Sequence, residues 1–260
     1  MQQQEIVNHL KTLRENIISS FESFEAVKRF EKIPWEHCHG GGGEIALLRG
    51  DIFEKAAVNW SGVYGDKIPF DENLGPFFAT GISIITHMHN PHAPTVHMNV
   101  RYIKTQKKSW FGGGYDLTPM GYPYKEDTLH FHDIAKQTLE PFGKHLYKEF
   151  SQNAKNYFYI KHRKRERGVG GIFFDYYNSD NFDADYAMWK AVGSTFLDAI
   201  IPIYQKRTSL SFTEEDKNTQ NTHRAAYAEF NLIYDRGTKF GLASDGNKDA
   251  IFCSLPPPLW

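Results

Sequence analysis

His87-Met-His-Asn-Pro-His-Ala-Pro-Thr-Val-His-Met-Asn-Val-Arg101 gathers four of the twelve histidines of the chain into one loop and strand. From Thr95 onward the residues alternate, which predicts a strand with Val96, Met98 and Val100 on one face and His97, Asn99 and Arg101 on the other. The first face reads as core. The second reads as chemistry, because an imidazole that titrates near neutrality, an amide and a permanent cation in one row can handle a proton, orient a ligand and hold a carboxylate.

Working outward, strand-like runs at 45–49, 52–60, 80–87 and 95–104 follow one another with no helical pattern between them. That succession argues for a mainly antiparallel sheet with packed helices, an α+β fold, and against a doubly wound one. Further strand-like runs lie at 170–176, 227–234, 238–243 and 250–255. Before the sheet, Ile6, Leu10, Leu13, Ile17, Ile18, Phe21 and Phe24 recur at spacings of three and four, so an amphipathic helix is expected to about residue 30. Helical patterns occupy 127–155, interrupted at Pro141, and 183–206.

At 260 residues and 15% aromatic content, with no linker, repeat or low-complexity run, the chain reads as a single compact domain over 1–260. Its 31 acidic and 30 basic residues give no overall field for nucleic acid or an anionic membrane. Only Cys38 and Cys253 are present, which fits a reducing compartment and no disulfide framework. The polar N-terminus and the lack of an apolar run of spanning length predict a cytoplasmic protein with no integral membrane segment.

The glycine runs divide. Gly40 to Gly43 lacks the following Lys and Ser or Thr of a phosphate loop, and Gly168-Val-Gly-Gly171 lacks the spacing and preceding strand of a dinucleotide fingerprint. In Trp110-Phe-Gly-Gly-Gly-Tyr-Asp-Leu-Thr-Pro119 the glycines let something approach closely and present Asp116 at a turn, with local backbone capping as the plain alternative. Five cations lie between Lys161 and Arg167, a run that usually marks a solvated turn. Read as a strand, Glu229-Phe-Asn-Leu-Ile-Tyr-Asp235 puts Glu229, Asn231 and Asp235 on one face.

Pro94 to Arg101, Trp110 to Pro119, Arg167-Gly-Val-Gly-Gly-Ile-Phe-Phe-Asp175 and Glu229 to Leu242 together resemble oxygen-dependent coproporphyrinogen III oxidase, in order and over most of the chain. The resemblance implies a homodimeric enzyme of haem biosynthesis, built on a large antiparallel sheet between helices. Its reaction would convert two propionates of coproporphyrinogen III to vinyls, giving protoporphyrinogen IX with dioxygen as co-substrate and no organic cofactor. It implies His97 as proton donor, Asp116 and Asp235 as acceptors of pyrrole N–H bonds, and Arg101, Arg167 and Arg236 as clamps on propionates or on the departing carboxylate. Ser83, Asn99, Val100, Asp245, Gly246 and Asn247 would complete the substrate contacts, and the run from Tyr227 to Trp260 would form the dimer.

His87, His97, His132 and His162 match positions proposed in the family as divalent-metal ligands. A hydrogen-bonded histidine cluster without metal explains the same residues and is preferred, since metal sites are recognised by geometry and not by count. His130 and His132, two apart on a helix, cannot face one ion together. The chain departs from the family at Asp245-Gly-Asn-Lys248, where an arginine is common, at Ala225-Ala226, in a short loop before Trp110, and in stopping at Trp260, where a C-terminal element would be missing. Lys248 would replace an arginine in charge but not as a fork. A porphyrin carrier without turnover and a histidine-ligated metal oxygenase acting on another aromatic acid are the alternatives.

Overall fold

The computed structural model describes residues 2–69 and 71–259. The first helix, α1 (Gln2–Glu22), carries Ile6, Leu10, Leu13, Ile17, Ile18 and Phe21 on one buried stripe. Full burial of such side chains contributes about 1.5–3 kcal/mol each, which fixes which face meets the sheet. Arg14, buried on the same helix, reaches past the stripe to donate to the Val58 carbonyl at 3.0 Å and to pair with Glu44 at 2.6 Å.

An antiparallel meander follows: β1 (Glu31–Glu36), β2 (Gly41–Leu48), β3 (Phe53–Gly65), β4 (Phe77–Met88), β5 (Thr95–Thr105) and β6 (Ser109–Thr118). After α2 (Lys125–Leu139), α3 (Leu146–Tyr157) and the small ribbon of β7 (Tyr159–Ile160) and β8 (Arg165–Glu166), strand β9 (Gly171–Tyr177) returns antiparallel to β6. The result is a seven-stranded sheet of order β1-β2-β3-β4-β5-β6-β9. Helices α4 (Phe182–Ser194), α5 (Phe196–Arg207), α6 (Glu214–Ile233), α7 (Arg236–Ala243) and α8 (Lys248–Phe252) complete the α+β fold.

The alternation expected of β5 holds. Val96, Met98 and Val100 are buried with Ile82, Ile84 and Val58 against α1, α4 and α5, in the main core. The opposite face carries His97, Asn99 and Arg101 and is roofed by α6, α7 and α8. α5 runs through Pro202, which has no N–H for the Asp198 carbonyl four residues earlier. His130 Nε2 bonds that carbonyl at 3.0 Å and takes up the vacant acceptor.

Two expectations fail and one strand went unread. The runs 227–234, 238–243 and 250–255 are not strands, because they fall in α6, α7 and the helical turn of α8. The unread strand, β1, is a short edge strand that carries Pro34 and is exposed along almost its whole length. The glycine run before Asp116 is the middle of β6 and not a turn. Gly114, at φ +139°, is needed there because a Cβ would stand 2.0 Å from the Ile172 carbonyl on β9, while a Cβ at Gly112 would displace the Arg101 guanidinium that lies 2.9 Å away.

Candidate active site

Strand register builds the floor of the site. Asn59 on β3 faces Ser83 on β4, Ser83 faces Asn99 on β5, and in the next row Ile85 faces His97, which faces Asp116 on β6. Arg101 lies between two glycines, Gly81 on β4 and Gly112 on β6, so its long side chain can lie across the sheet. These residues open onto a cavity of about 470 Å³ between the sheet and the α6–α8 roof. That volume falls in the range of roughly 300–1,000 Å³ usual for ligand pockets.

His97 Nδ1 bonds Asp116 Oδ1 at 3.0 Å. A carboxylate only accepts, so Nδ1 carries the proton and Nε2 is left for the cavity. Asp116 is 1% exposed, and Arg167 Nη2 donates to its two oxygens at 2.8 and 2.9 Å, while Thr118 adds a longer contact at 3.4 Å. Burial works against the charged carboxylate, but the Arg167 charge and the His97 bond outweigh it and hold its pKa below the ordinary range. Arg167 is boxed by the rings of Phe158, Tyr227 and Phe230 at 4.3–4.6 Å and donates to Asn231 Oδ1 at 3.0 Å.

A second charged group lies across the cavity. Arg101 donates to Asn99 Oδ1 at 2.7 Å and pairs with Asp175 at 2.7 Å, and Arg236 stands 3.6 Å from the other Asp175 oxygen. Arg236 also lies over the rings of Tyr157 and Phe173, at 4.9 and 5.5 Å. Asp175 was not among the residues singled out from sequence. It stood at the end of an apolar run, but on β9 its position relative to Arg101 depends on a pairing that local sequence does not encode. Asn59 on the floor and Cys253 at the end of α8 meet at 2.8 Å, and burial pushes the Cys253 thiol up to about 11.

Several expected site residues stand elsewhere. Val100 points into the core, 1% exposed, as the alternation of β5 requires. Asp116, 1% exposed, is absent from the cavity lining and turns its oxygens to Arg167 and His97 behind the wall. Asp235 borders the cavity, but its carboxylate caps α7 by accepting from the Thr238 N–H at 2.6 Å and also accepts from the Tyr157 hydroxyl at 2.8 Å. Gly246 and Asn247 line the roof, where Asn247 caps α8, whereas Asp245 turns outward beside Cys38 and His39.

The proposed histidine ligands do not converge. His87, fully buried, bonds the Ser254 carbonyl and Thr95, and burial followed by repulsion from Lys55 holds its pKa well below the usual value. His132 braces the Val169 carbonyl and the Tyr147 hydroxyl, and His162 joins Tyr234 and Glu229 at the surface. Of the four, only His97 lines the cavity. No helix among the described residues is long and apolar enough to cross a membrane.

The family model of coproporphyrinogen III oxidase matches residues 5–259. An oxygen-dependent coproporphyrinogen-III oxidase of Rickettsia rickettsii (strain Sheila Smith) is 47% identical over 238 residues, 89% of this chain and 85% of the relative. The enzymes of the same name from Rickettsia bellii (strain OSU 85-389) and Rickettsia akari (strain Hartford) are 45% and 42% identical, the latter over 97% of this chain and 95% of its own.

Proposed function

The chain belongs to the coproporphyrinogen III oxidase family, and from that premise we propose that its cavity converts coproporphyrinogen III to protoporphyrinogen IX with dioxygen, a step of haem biosynthesis. Each of two propionates loses its carboxylate as carbon dioxide and a hydrogen from the carbon next to the ring. The two electrons released per propionate reduce one dioxygen, which takes up two protons. The propionate side chains of the substrate supply those electrons while the ring keeps its oxidation level, with no organic cofactor and no metal in the accounting.

The observation that carries this reading is the row His97, Asn99 and Arg101 facing the cavity, with Arg236 opposite. Arg101 and Arg236 offer forked donors to propionates, and the aromatic walls of Trp60, Tyr157 and Phe173 suit a macrocycle. Asp175, held between the two arginines and 19% exposed, is the carboxylate best placed to accept pyrrole N–H bonds. His97 moves the proton through Nε2, while Asp116 holds its tautomer and orientation from behind and Arg167 keeps Asp116 ionised. Asp116 is thereby a positioning residue.

We also take the enzyme to be a cytoplasmic homodimer. Leu232, Ile233, Leu242 and Leu259 are 44–59% exposed within the stretch from Tyr227 expected to dimerise, and such apolar exposure suits a partner surface. Trp260, the end of that stretch, lies outside the described residues.

The test is anaerobic incubation with coproporphyrinogen III, followed by air and product analysis with and without chelator. Protoporphyrinogen IX should form only after air and irrespective of chelator. Turnover without dioxygen, or dependence on added metal, flavin or nicotinamide, refutes the reading, and a stable monomer by light scattering refutes the dimer.

A further inference from the structure

On the outer side of the cavity rim, Cys38 and His39, in the turn between β1 and β2, stand beside Asp245 in the turn between α7 and α8. One ligating atom from each lies within 4.8 Å of the other two, and among the described residues this is the one group of three or more His, Cys, Asp and Glu side chains so placed. All three residues are exposed. The two turns are already fastened beside the cluster. His37 Nε2 donates to the Ser244 carbonyl at 2.9 Å, and its Nδ1 lies 3.4 Å from the His39 N–H, a pairing that suits one neutral tautomer. Asp66 stands 3.9 Å from the His39 Nδ1.

We propose that Cys38, His39 and Asp245 bind a zinc-class divalent ion, with water in the fourth position. A thiolate, an imidazole and a carboxylate form a donor set that favours Zn²⁺ or Co²⁺ over Mg²⁺ and Ca²⁺, and small rotations of exposed side chains bring atoms this close to tetrahedral separation. Binding deprotonates the Cys38 thiol and releases that proton to solvent. Asp66, beyond hydrogen-bond distance at 3.9 Å, adds only a nearby negative charge. Because His37, Ser244, Gly246 and Asn247 line the cavity, the ion ties the turn between β1 and β2 to the turn between α7 and α8 at the cavity wall, and holding that wall closed slows substrate entry. Binding itself is independent of the reading of the cavity, whereas the effect on turnover rests on it.

Co²⁺ titration of metal-stripped protein tests the site. One Co²⁺ per chain should bind, with visible bands of tetrahedral cobalt and a near-ultraviolet thiolate charge-transfer band. Cys38→Ser should abolish the charge-transfer band, and His39→Ala should weaken binding by roughly tenfold or more; thermal melting checks that both variants stay folded. Absence of the band, its persistence in Cys38→Ser, or unchanged affinity in His39→Ala overturns the site. Zn²⁺ should lower turnover of the parent protein but not of Cys38→Ser. Cobalt binding at Cys38 with turnover indifferent to Zn²⁺ overturns the effect on entry alone, and a protein inactive without metal refutes the functional reading and not the site.

Discussion

Asp116→Asn is the most informative substitution because it strikes folding and turnover by separable amounts. The carboxylate is 1% exposed, and its Arg167 partner has 3% of its side chain exposed. An amide keeps the shape but leaves the guanidinium buried among three rings without a countercharge. Removing one partner of such a pair costs about 3–5 kcal/mol, so the melting temperature should fall by roughly 6–20 °C. The amide also presents either an oxygen or an N–H₂ to His97 Nδ1, so the imidazole tautomer is no longer fixed. Turnover at a temperature where the variant remains folded should fall by about a hundredfold to ten-thousandfold, with a smaller change in KM. Scanning calorimetry and steady-state kinetics, both repeated across acid pH, separate the effects. The folded pKa of Asp116 is depressed, so its stabilising contribution is present above the unfolded pKa and lost as pH falls through the folded one. The parent protein should lose that contribution on acidification, and the variant should not have it to lose. A variant that melts within a degree of the parent and turns over normally refutes both the ion pair as a stabilising element and Asp116 as the residue that positions His97.

Arg101→Lys keeps the charge and loses the fork, so KM should rise roughly tenfold with kcat little changed; an unchanged KM removes Arg101 from substrate binding. His87 is held neutral by burial, so the unfolded chain binds a proton there first, and the parent melting temperature should drop as pH falls below about 6.5. That slope should be shallower in His87→Gln, and equal slopes would contradict it. Cys38 is exposed and Cys253 is buried with its thiol pushed up to about 11, so a thiol reagent at neutral pH should titrate one cysteine in native protein and two after denaturation. Two fast native thiols would show that the roof over Cys253 is not closed.

What the sequence revealed and what it hid have physical causes. β5 was legible because one of its faces is apolar and the other polar, the condition under which period-two alternation stands out. The same condition fails in α6, where the buried face includes Gln220, Arg224, Tyr227 and Asn231 at spacings of three and four. Polar groups occupy core positions there because they reach the Met88 carbonyl, Glu54 and Arg167, so hydrophobicity alone concealed the helix. A signal was present in Thr213-Glu-Glu-Asp216, which forms a capping box at its start. His97, Asn99 and Arg101 were found by alternation, while the partnership of Asp116 with Arg167 was not, because it joins residues brought together only by strand pairing and the β7–β8 ribbon. The preference for hydrogen-bonded imidazoles in the histidine-rich loop agrees with the bonds of His87, His89 and His92 to backbone carbonyls and hydroxyls, as a folded chain needs wherever polar groups are buried.

The cross-strand arrangement of the floor has a consequence for how the site can vary. His97 meets Asp116 because β5 and β6 pair in one register, and a slip of a single residue would carry His97 to the helical core and Val96 or Met98 into the cavity. Register therefore behaves as a discrete variable, and the proton-handling pair is either assembled or absent, with no graded misalignment between. The roof has no such register, being held to the floor by separate side-chain bonds, among them Asn59 to the Ala250 carbonyl, Lys55 to the Leu255 carbonyl and Arg224 to Glu54. Away from Arg236 and Asn231, which join the roof to Asp175 and Arg167, substitutions in the roof should alter which molecules enter and how fast, while the reacting pair beneath it keeps the same coordinates.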